Sequence, residues 1–314
     1  MPRKLYCETR LYNVNDRIAS LNLVDAIDSW IDEGLLGEMD HCFLPYRDNP
    51  IPPGTVDIGK KIFDMDVEEL YACDGVVGNF DGPHYDSGCA FEVGLGFALG
   101  YPVNLTVTDY YRWSVGDDHQ HFYCGSKLLE HVADLVLVPR QDMSIPDYRA
   151  RTMDQIQRSY DGLKAKLIED FAAVRTPVPL KALPVEHDYY IDPNFKYTES
   201  GEWLLSAIKA AIGQSGRTYV VGDNQGDIAV DLERLCRSGQ AIFFADPFEP
   251  NVDTSILQGI AFGIGRKPVV YTGNRQWYDG GAQAGAACRG VMINNSAEKV
   301  VYSIKELEAY IAGR

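Results

Sequence analysis

The segment from Gly75 to Val107 constrains this chain more than any other. An apolar run, Gly75-Val-Val-Gly-Asn-Phe80, ends in Asp81-Gly82. A short loop leads to Asp86-Ser-Gly-Cys-Ala-Phe-Glu92-Val-Gly-Leu-Gly-Phe-Ala-Leu-Gly100, and a second apolar run closes at Val107. The residues between the runs are small and apolar, which predicts a helix packed closely on its neighbours. Strand, acidic loop, helix and strand form one βαβ unit, and such a unit requires a parallel sheet covered by helices. In open sheets of this kind, ligands bind beyond the carboxyl ends of the strands. Asp86 and Glu92 therefore stand where chemistry is expected.

The same alternation runs along the rest of the chain. Lys4–Cys7 reads as a first strand, 16–35 as a helix with Ile18, Leu21, Val24, Ile27 and Ile31 on one side, and His41–Pro45 as a second strand. Helix 56–72, strand 75–80, helix 88–99 and strand 102–107 follow. A polar, aromatic loop over 109–122 precedes a helix near 124–131, strand 134–138 and a long helix over 147–173. Residues 174–200 carry four prolines and little periodicity, which predicts a surface linker. Beyond it come helix 201–213, strand 218–222, helix 227–237, strand 241–245, helix 254–264, strand 268–271, a short strand 291–294 and helix 303–312. The expected fold is α/β: a flavodoxin/Rossmann-like parallel sheet with helices on both faces, then a second degenerate domain of the same type. The expected boundaries are 1–175, a linker 176–200, and 201–314.

The second series reads as a degraded copy of the first. Gly94-Leu-Gly-Phe-Ala-Leu-Gly100-Tyr-Pro-Val matches Gly259-Ile-Ala-Phe-Gly-Ile-Gly265-Arg-Lys-Pro-Val, Asp81 matches Asp246, and Asp66 matches Asp231. Tyr6 and Tyr219 fall in the strands taken as equivalent. With Gly94 aligned on Gly259, Glu92 falls on Leu257, which can neither attack nor carry a proton. The first copy is expected to work and the second to be non-catalytic.

A net charge of −16 disfavours a nucleic-acid polymer as partner. No run approaches the ~20 apolar residues of a membrane helix, and Met-Pro-Arg-Lys-Leu-Tyr is not a secretory leader. The seven cysteines are scattered, with no CxxC pair, which fits free thiols in a reducing cytoplasm. His119 and His121 lack a nearby cysteine to complete a zinc set, so no metal is expected. Gly94, Gly96 and Gly100 miss the dinucleotide fingerprint by one position, and the loop is acidic where phosphate would bind. No cofactor is expected.

Each candidate residue has a bland reading beside the functional one. Glu92 could be a solvated first-turn carboxylate, but its helix is otherwise apolar, so the charge needs a partner or a pocket. Asp86 could cap that helix, or touch substrate. Asp66 could be a surface residue of helix 56–72. Tyr6 could be a half-buried strand aromatic, or could orient Glu92.

Together these pieces resemble the nucleoside 2-deoxyribosyltransferase family. The resemblance runs through most of 4–118: Asp66 eight residues before Asp74, an apolar strand, then Asp86-Ser-Gly88 to Glu92-Val-Gly94, a helix and a Pro-Val strand. It implies that Glu92 attacks the anomeric carbon of a nucleoside, releases the base and holds the sugar as an ester. A second base, or water, then resolves the ester with net retention. It implies further that Tyr6 holds Glu92 and that Asp66 and Asp86 contact the base, one of them moving a proton. Asn49 falls at a base-reading amide, and Asp118 near a sugar-site residue that a neighbouring subunit supplies. The implied partners are a nucleoside and a free nucleobase. A homo-oligomer, or an internal pseudo-dimer of the two copies, is the expected assembly.

The chain departs from the family in Cys7-Glu-Thr-Arg10, where members often carry a glycine-containing loop. Glu8 and Arg10 change the pocket floor, and Arg10 could pair with a phosphate. Asp86 would repel a phosphate, which favours nucleosides. Two alternatives stay open: an N-glycosidase acting on nucleosides or nucleoside 5′-monophosphates, and a non-catalytic nucleotide-binding sensor.

Overall fold

The computed structural model describes residues 3–10, 13–52, 55–81, 85–108, 113–115, 120–122, 126–172, 176–197, 199–223, 226–245, 251–272 and 290–314. Through the first half the elements are β1 (Leu5–Glu8), α1 (Val14–Asp32), α2 (Pro45–Asp48), α3 (Ile58–Ala72), β2 (Gly75–Asn79) and α4 (Ser87–Ala98). They continue with β3 (Val103–Val107), β4 (Trp113–Val115), β5 (Gln120–Phe122), α5 (Lys127–Val132), β6 (Asp134–Leu137) and α6 (Tyr148–Phe171). The second half holds β7 (His187–Ile191), a 3-10 turn (Pro193–Tyr197), α7 (Glu199–Gln214), β8 (Tyr219–Val221) and α8 (Ile228–Cys236). It ends with β9 (Ser238–Phe244), α9 (Val252–Gly263), β10 (Pro268–Tyr271), α10 (Val291–Ser296), β11 (Lys299–Val301) and α11 (Ile304–Ala312). Side-chain caps fix several starts, among them Asn13 on α1, Asp147 on α6, Asp227 on α8 and Ser303 on α11. No helix among the described residues is long and apolar enough to cross a membrane.

Two compact units emerge. The first comprises 1–50, 64–85 and 99–179; the second comprises 51–63, 86–98 and 180–314. The first unit holds a parallel sheet in the order β1-β2-β3-β6. Leu5 and Cys7 point to the side covered by α1 and α6, where Leu23, Val24, Ile27, Leu163, Leu167 and Phe171 complete a buried core. Alternation then sends Tyr6 and Glu8 to the opposite face.

The second unit holds a parallel sheet in the order β11-β10-β9-β7-β8. Counted along the chain, this is the 2-1-3-4-5 order of flavodoxin-like sheets. Tyr189 and Ile191 of β7 face a core with Phe195, Ile208, Ile212 and Leu307. The fold is thus α/β with two parallel sheets of this type.

Five local expectations change. His41–Pro45 makes no strand: Phe43 forms a single parallel bridge with Tyr6, and Pro45 starts α2. Residues 187–191, read as linker, form β7, which is buried between β8 and β9. The prolines at 177, 179 and 184 precede it, and the compact Tyr-Tyr-Ile run is too short to outweigh them in a periodicity reading. The run 291–294, read as a strand, is the start of α10, because a short apolar stretch does not distinguish the two states. The three-residue edge strand β11 went unread. The stretch read as a loop over 109–122 contains the antiparallel pair β4–β5.

Within the second unit, α4 lies against α9 almost backbone to backbone. A Cβ on Gly94 would run into the carbonyl oxygen of Ile256, and a Cβ on Gly259 would run into that of Phe91. One turn on, a Cβ on Gly263 would stand 2.6 Å from the Cβ of Ala98. The offset that relates Gly94 to Gly259 also relates Phe91 to Ile256 and Ala98 to Gly263. The contact is therefore reciprocal, as in a two-fold interface between like subunits. Phe63, Phe91 and Phe262 pack around it, with ring centroids 5.6–6.2 Å apart.

Candidate active site

In the first unit the candidates gather on one face and at the carboxyl edge of the sheet. Tyr6 is wholly buried and packs on Phe43, with ring centroids 5.6 Å apart. Lys4, two residues earlier on the same face, pairs with Glu69 of α3 at 2.9 Å. Asp66 lies one turn before Glu69 on α3. It is 5% exposed, and its Oδ1 is buried with no hydrogen-bond partner among the described residues. Desolvation pushes its carboxyl up to about 7, so the group exchanges a proton near neutral pH.

Glu8 ends β1 and is fully buried. It sits opposite Gly78 of β2, and a Cβ on Gly78 would collide with the Glu8 carboxylate. Glycine there gives a long acidic side chain room to lie across the neighbouring strand. Asp81, just past β2, is tied to the end of β3 by the Thr108 hydroxyl at 2.6 Å and by the Thr108 amide. Arg10 is half-buried and pairs with Asp16 at 3.4 Å. Asn49 is half-buried at the end of α2. Asp118 lies outside the described residues, as do His119 and Asp246.

In the second unit α4 carries the remaining candidates. Asp86 is the N-cap: its Oδ1 accepts the Cys89 amide at 3.0 Å, and its carbonyl accepts the Ala90 amide at 3.0 Å. Its Oδ2 is buried with no hydrogen-bond partner among the described residues. One Asp86 oxygen thus caps the helix, as the bland reading expects. Gly88 is needed beside it, since a Cβ there would stand 2.8 Å from Asp86 Oδ1. Glu92 is 6% exposed, a turn further on, in a helix whose other members are almost all apolar and buried.

The second sheet carries the counterparts. Tyr6 pairs with Val76 across β1–β2, and Tyr190 pairs with Ala241 across β7–β9. The offset between Asp81 and Asp246 equates Val76 with Ala241, so Tyr190 is the equivalent of Tyr6. Tyr219, which the sequence suggested, instead lies on the edge strand β8. The Tyr190 hydroxyl donates to Asp231 Oδ2 at 2.9 Å, and burial raises both groups. Asp192 takes the place of Glu8. It is fully buried and accepts four hydrogen bonds: from the Phe244 amide at 3.1 Å, the Thr254 hydroxyl at 2.6 Å, and the Asn194 amide and side chain at 3.0 and 2.8 Å. Desolvation outweighs these donors and sets its carboxyl to about 6. Asp192 and Tyr190 were not foreseen. The signal was present in the repeated pattern of tyrosine, one apolar residue and an acid at the end of each first strand, Tyr6-Cys-Glu8 and Tyr190-Ile-Asp192.

The described cysteines, Cys7, Cys42, Cys73, Cys89 and Cys236, are buried and form no disulfide with one another. Burial raises the thiols of Cys42, Cys73 and Cys236, which makes them poor nucleophiles at neutral pH.

Residues 31–127 match the model of the nucleoside 2-deoxyribosyltransferase family. The resemblance read from the sequence holds for that segment, which contains Asn49, Asp66, Asp86, Gly88, Glu92 and Asp118. Tyr6, Arg10 and the whole second half lie outside it. Among solved structures, the chain is similar to the 2-deoxyribosyltransferase of Bacillus psychrosaccharolyticus, at 24% identity over 33% of this chain and 72% of that one, with a TM-score of 0.27. It is similar to a conserved protein of Enterococcus faecalis V583, at 20% identity over 55% and 98% of the two chains, with a TM-score of 0.32. It is also similar to a 2-deoxyribosyltransferase of Leishmania mexicana, at 18% identity over 50% and 98%, with a TM-score of 0.32. No curated protein matches the chain.

Proposed function

We propose that this chain is an N-glycosyl transferase acting on nucleosides, with Glu92 as the nucleophile that carries the deoxyribosyl group. The observation that carries the reading is the matched segment, which includes the acidic series Asp66, Asp86 and Glu92 in family order. Three local features support it. Glu92 is a nearly buried carboxylate on an apolar helix. Asp86 keeps one oxygen unclaimed beside that helix's first turn. Asp66 holds a proton at neutral pH that a departing base nitrogen needs.

In the proposed cycle, a Glu92 oxygen bonds to the anomeric carbon as the bond from that carbon to the base nitrogen breaks. Asp66 protonates the departing base. An acceptor base then attacks the same carbon, the ester bond breaks, and Asp66 takes the proton from the incoming nitrogen. Two inversions give retention. Tyr6 keeps the supporting role that the resemblance gives it. Residues 1–175 are the proposed working segment, and 201–314 the non-catalytic one. Arg10 is engaged by Asp16 in the structure, which favours an uncharged nucleoside over a 5′-monophosphate.

The test is product chromatography with thymidine or deoxyinosine, with and without adenine. Deoxyadenosine formed only with adenine supports transfer. Free base formed equally without an acceptor makes the chain a hydrolase. No turnover of nucleosides or monophosphates leaves a binding protein and overturns the proposal.

A further inference from the structure

The half of the chain outside the family match has lost the nucleophile, with Leu257 at the place of Glu92. It nevertheless keeps a glycine, Gly259, at the place of Gly94. In α9, Gly259 lies against the turn of α4 that carries Glu92. A Cβ at 259 would strike the Phe91 carbonyl oxygen and stand 2.9 Å from the Leu95 amide nitrogen. Those two atoms are donor and acceptor of one helical hydrogen bond, which spans Glu92, Val93 and Gly94. Any side chain at 259 would therefore wedge into that turn. The neighbouring glycine of the pair acts elsewhere: a Cβ on Gly263 would meet the Ala98 Cβ at 2.6 Å and the Leu95 Cδ1 at 3.0 Å, past the end of the Glu92 turn. The start of α4 is also held from the second half. Gly88 faces Met292 of α10, at 3.4 Å from a notional Cβ, and α10 is tied to α9 by Gln258, whose amide donates to the Ile293 carbonyl at 2.8 Å.

We propose that Gly259 is a positioning residue for Glu92: the non-catalytic repeat is retained as a built-in seat for the nucleophile's helix. The inference rests on the proposed role of Glu92. Backbone-to-backbone packing of this kind fixes a helix to a fraction of an ångström, because no flexible side chain intervenes. A carboxylate that must meet an anomeric carbon in line needs such a support.

The experiment compares full-length Gly259→Ala and Gly263→Ala with the parent. It reads kcat, KM, melting temperature and hydrogen exchange at the Leu95 amide. Gly259→Ala should lower kcat about 10- to 100-fold while KM for the nucleoside changes about twofold or less, and should speed exchange at Leu95. Gly263→Ala should lose comparable thermal stability with kcat near that of the parent. If Gly259→Ala does not fold, Phe262→Leu loosens the same turn without a clash, and should speed Leu95 exchange and lower kcat. Equal kcat losses that follow melting temperature in both glycine variants would make the contact merely structural and overturn the inference. So would unchanged Leu95 exchange. A parent without turnover refutes the function proposed for Glu92, whereas the exchange readout still decides whether Gly259 seats the turn.

Discussion

The two parallel sheets end in the same pattern and treat it differently. At the end of β7, the Asp192 carboxylate is surrounded by four donors from three stretches of chain, and the Tyr190 hydroxyl is given to Asp231. In the first unit, Asp66 keeps an oxygen with no partner, and its proton is held up to about pH 7. Buried polar groups are normally paired, so an unpaired one calls for an explanation. The comparison teaches that the half with Leu257 at the place of Glu92 surrounds its strand-end acid, Asp192, with donors. The closure is local to Asp192: Asp231, like Asp66, keeps a buried Oδ1 with no hydrogen-bond partner among the described residues.

The sharpest break of that comparison is exchange at the distinguishing position. Glu92→Gln should reduce transfer by about a thousandfold or more. The reverse change, Leu257→Glu, should create no turnover in a Glu92→Gln background, and should destabilise by on the order of 3 kcal/mol, because it buries a new charge. Both are read by steady-state kinetics and urea unfolding.

Next in size is Asp192→Ala. It strips four buried donors of their acceptor and should cost about 3 kcal/mol in urea, with activity per folded molecule unchanged. A large loss of kcat there would show that the second sheet still takes part in chemistry.

Asp66 gives a smaller effect with a definite sign. Its carboxyl is raised from 3.8 to about 7 on folding, so the native state binds the extra proton between those pH values. Stability therefore falls as pH rises through that window. Asp66→Asn cannot ionise, and should exceed the parent by on the order of 2 kcal/mol at pH 8 while converging with it near pH 4. The parent's kcat/KM should fall above about pH 7, and Asp66→Asn, which cannot carry the proton, should be low at every pH. The smallest expected change is Tyr190→Phe, about 1 kcal/mol with no loss of activity, since it deletes a single hydrogen bond to Asp231.

The legible parts of this molecule were those with a period. β2, α4 and β3 follow directly from apolar runs joined by a small-residue helix, and α9 was found as a copy of α4. β7 was hidden because it is five residues long and follows a proline-rich stretch. The misassignment of Tyr219 followed from that, because the copy was then missing its true first strand. Asp66, Asp86 and Glu92 were legible as a spaced series, yet the cap made by Asp86 Oδ1 and the isolation of its Oδ2 depend on three-dimensional placement. The division of Asp192's four donors among Asn194, Thr254 and Phe244 likewise has no local signature, since those residues meet only when β7, β9 and α9 assemble.

The membership of α4 in the second unit has a kinetic consequence. Its partner glycine, Gly259, is made long after Gly94 leaves the ribosome, a delay on the order of ten seconds at ~5–20 residues per second. Until then α4 lacks the backbone of α9 against Gly94, and Phe91 has Phe63 but not Phe262 beside it. This helix belongs to the late, high-contact-order part of the folding reaction, where loop closure must precede any gain from packing. A nascent chain stopped before α9 is thus expected to expose Phe91 and Leu95, and to need a chaperone's shelter where the complete chain does not.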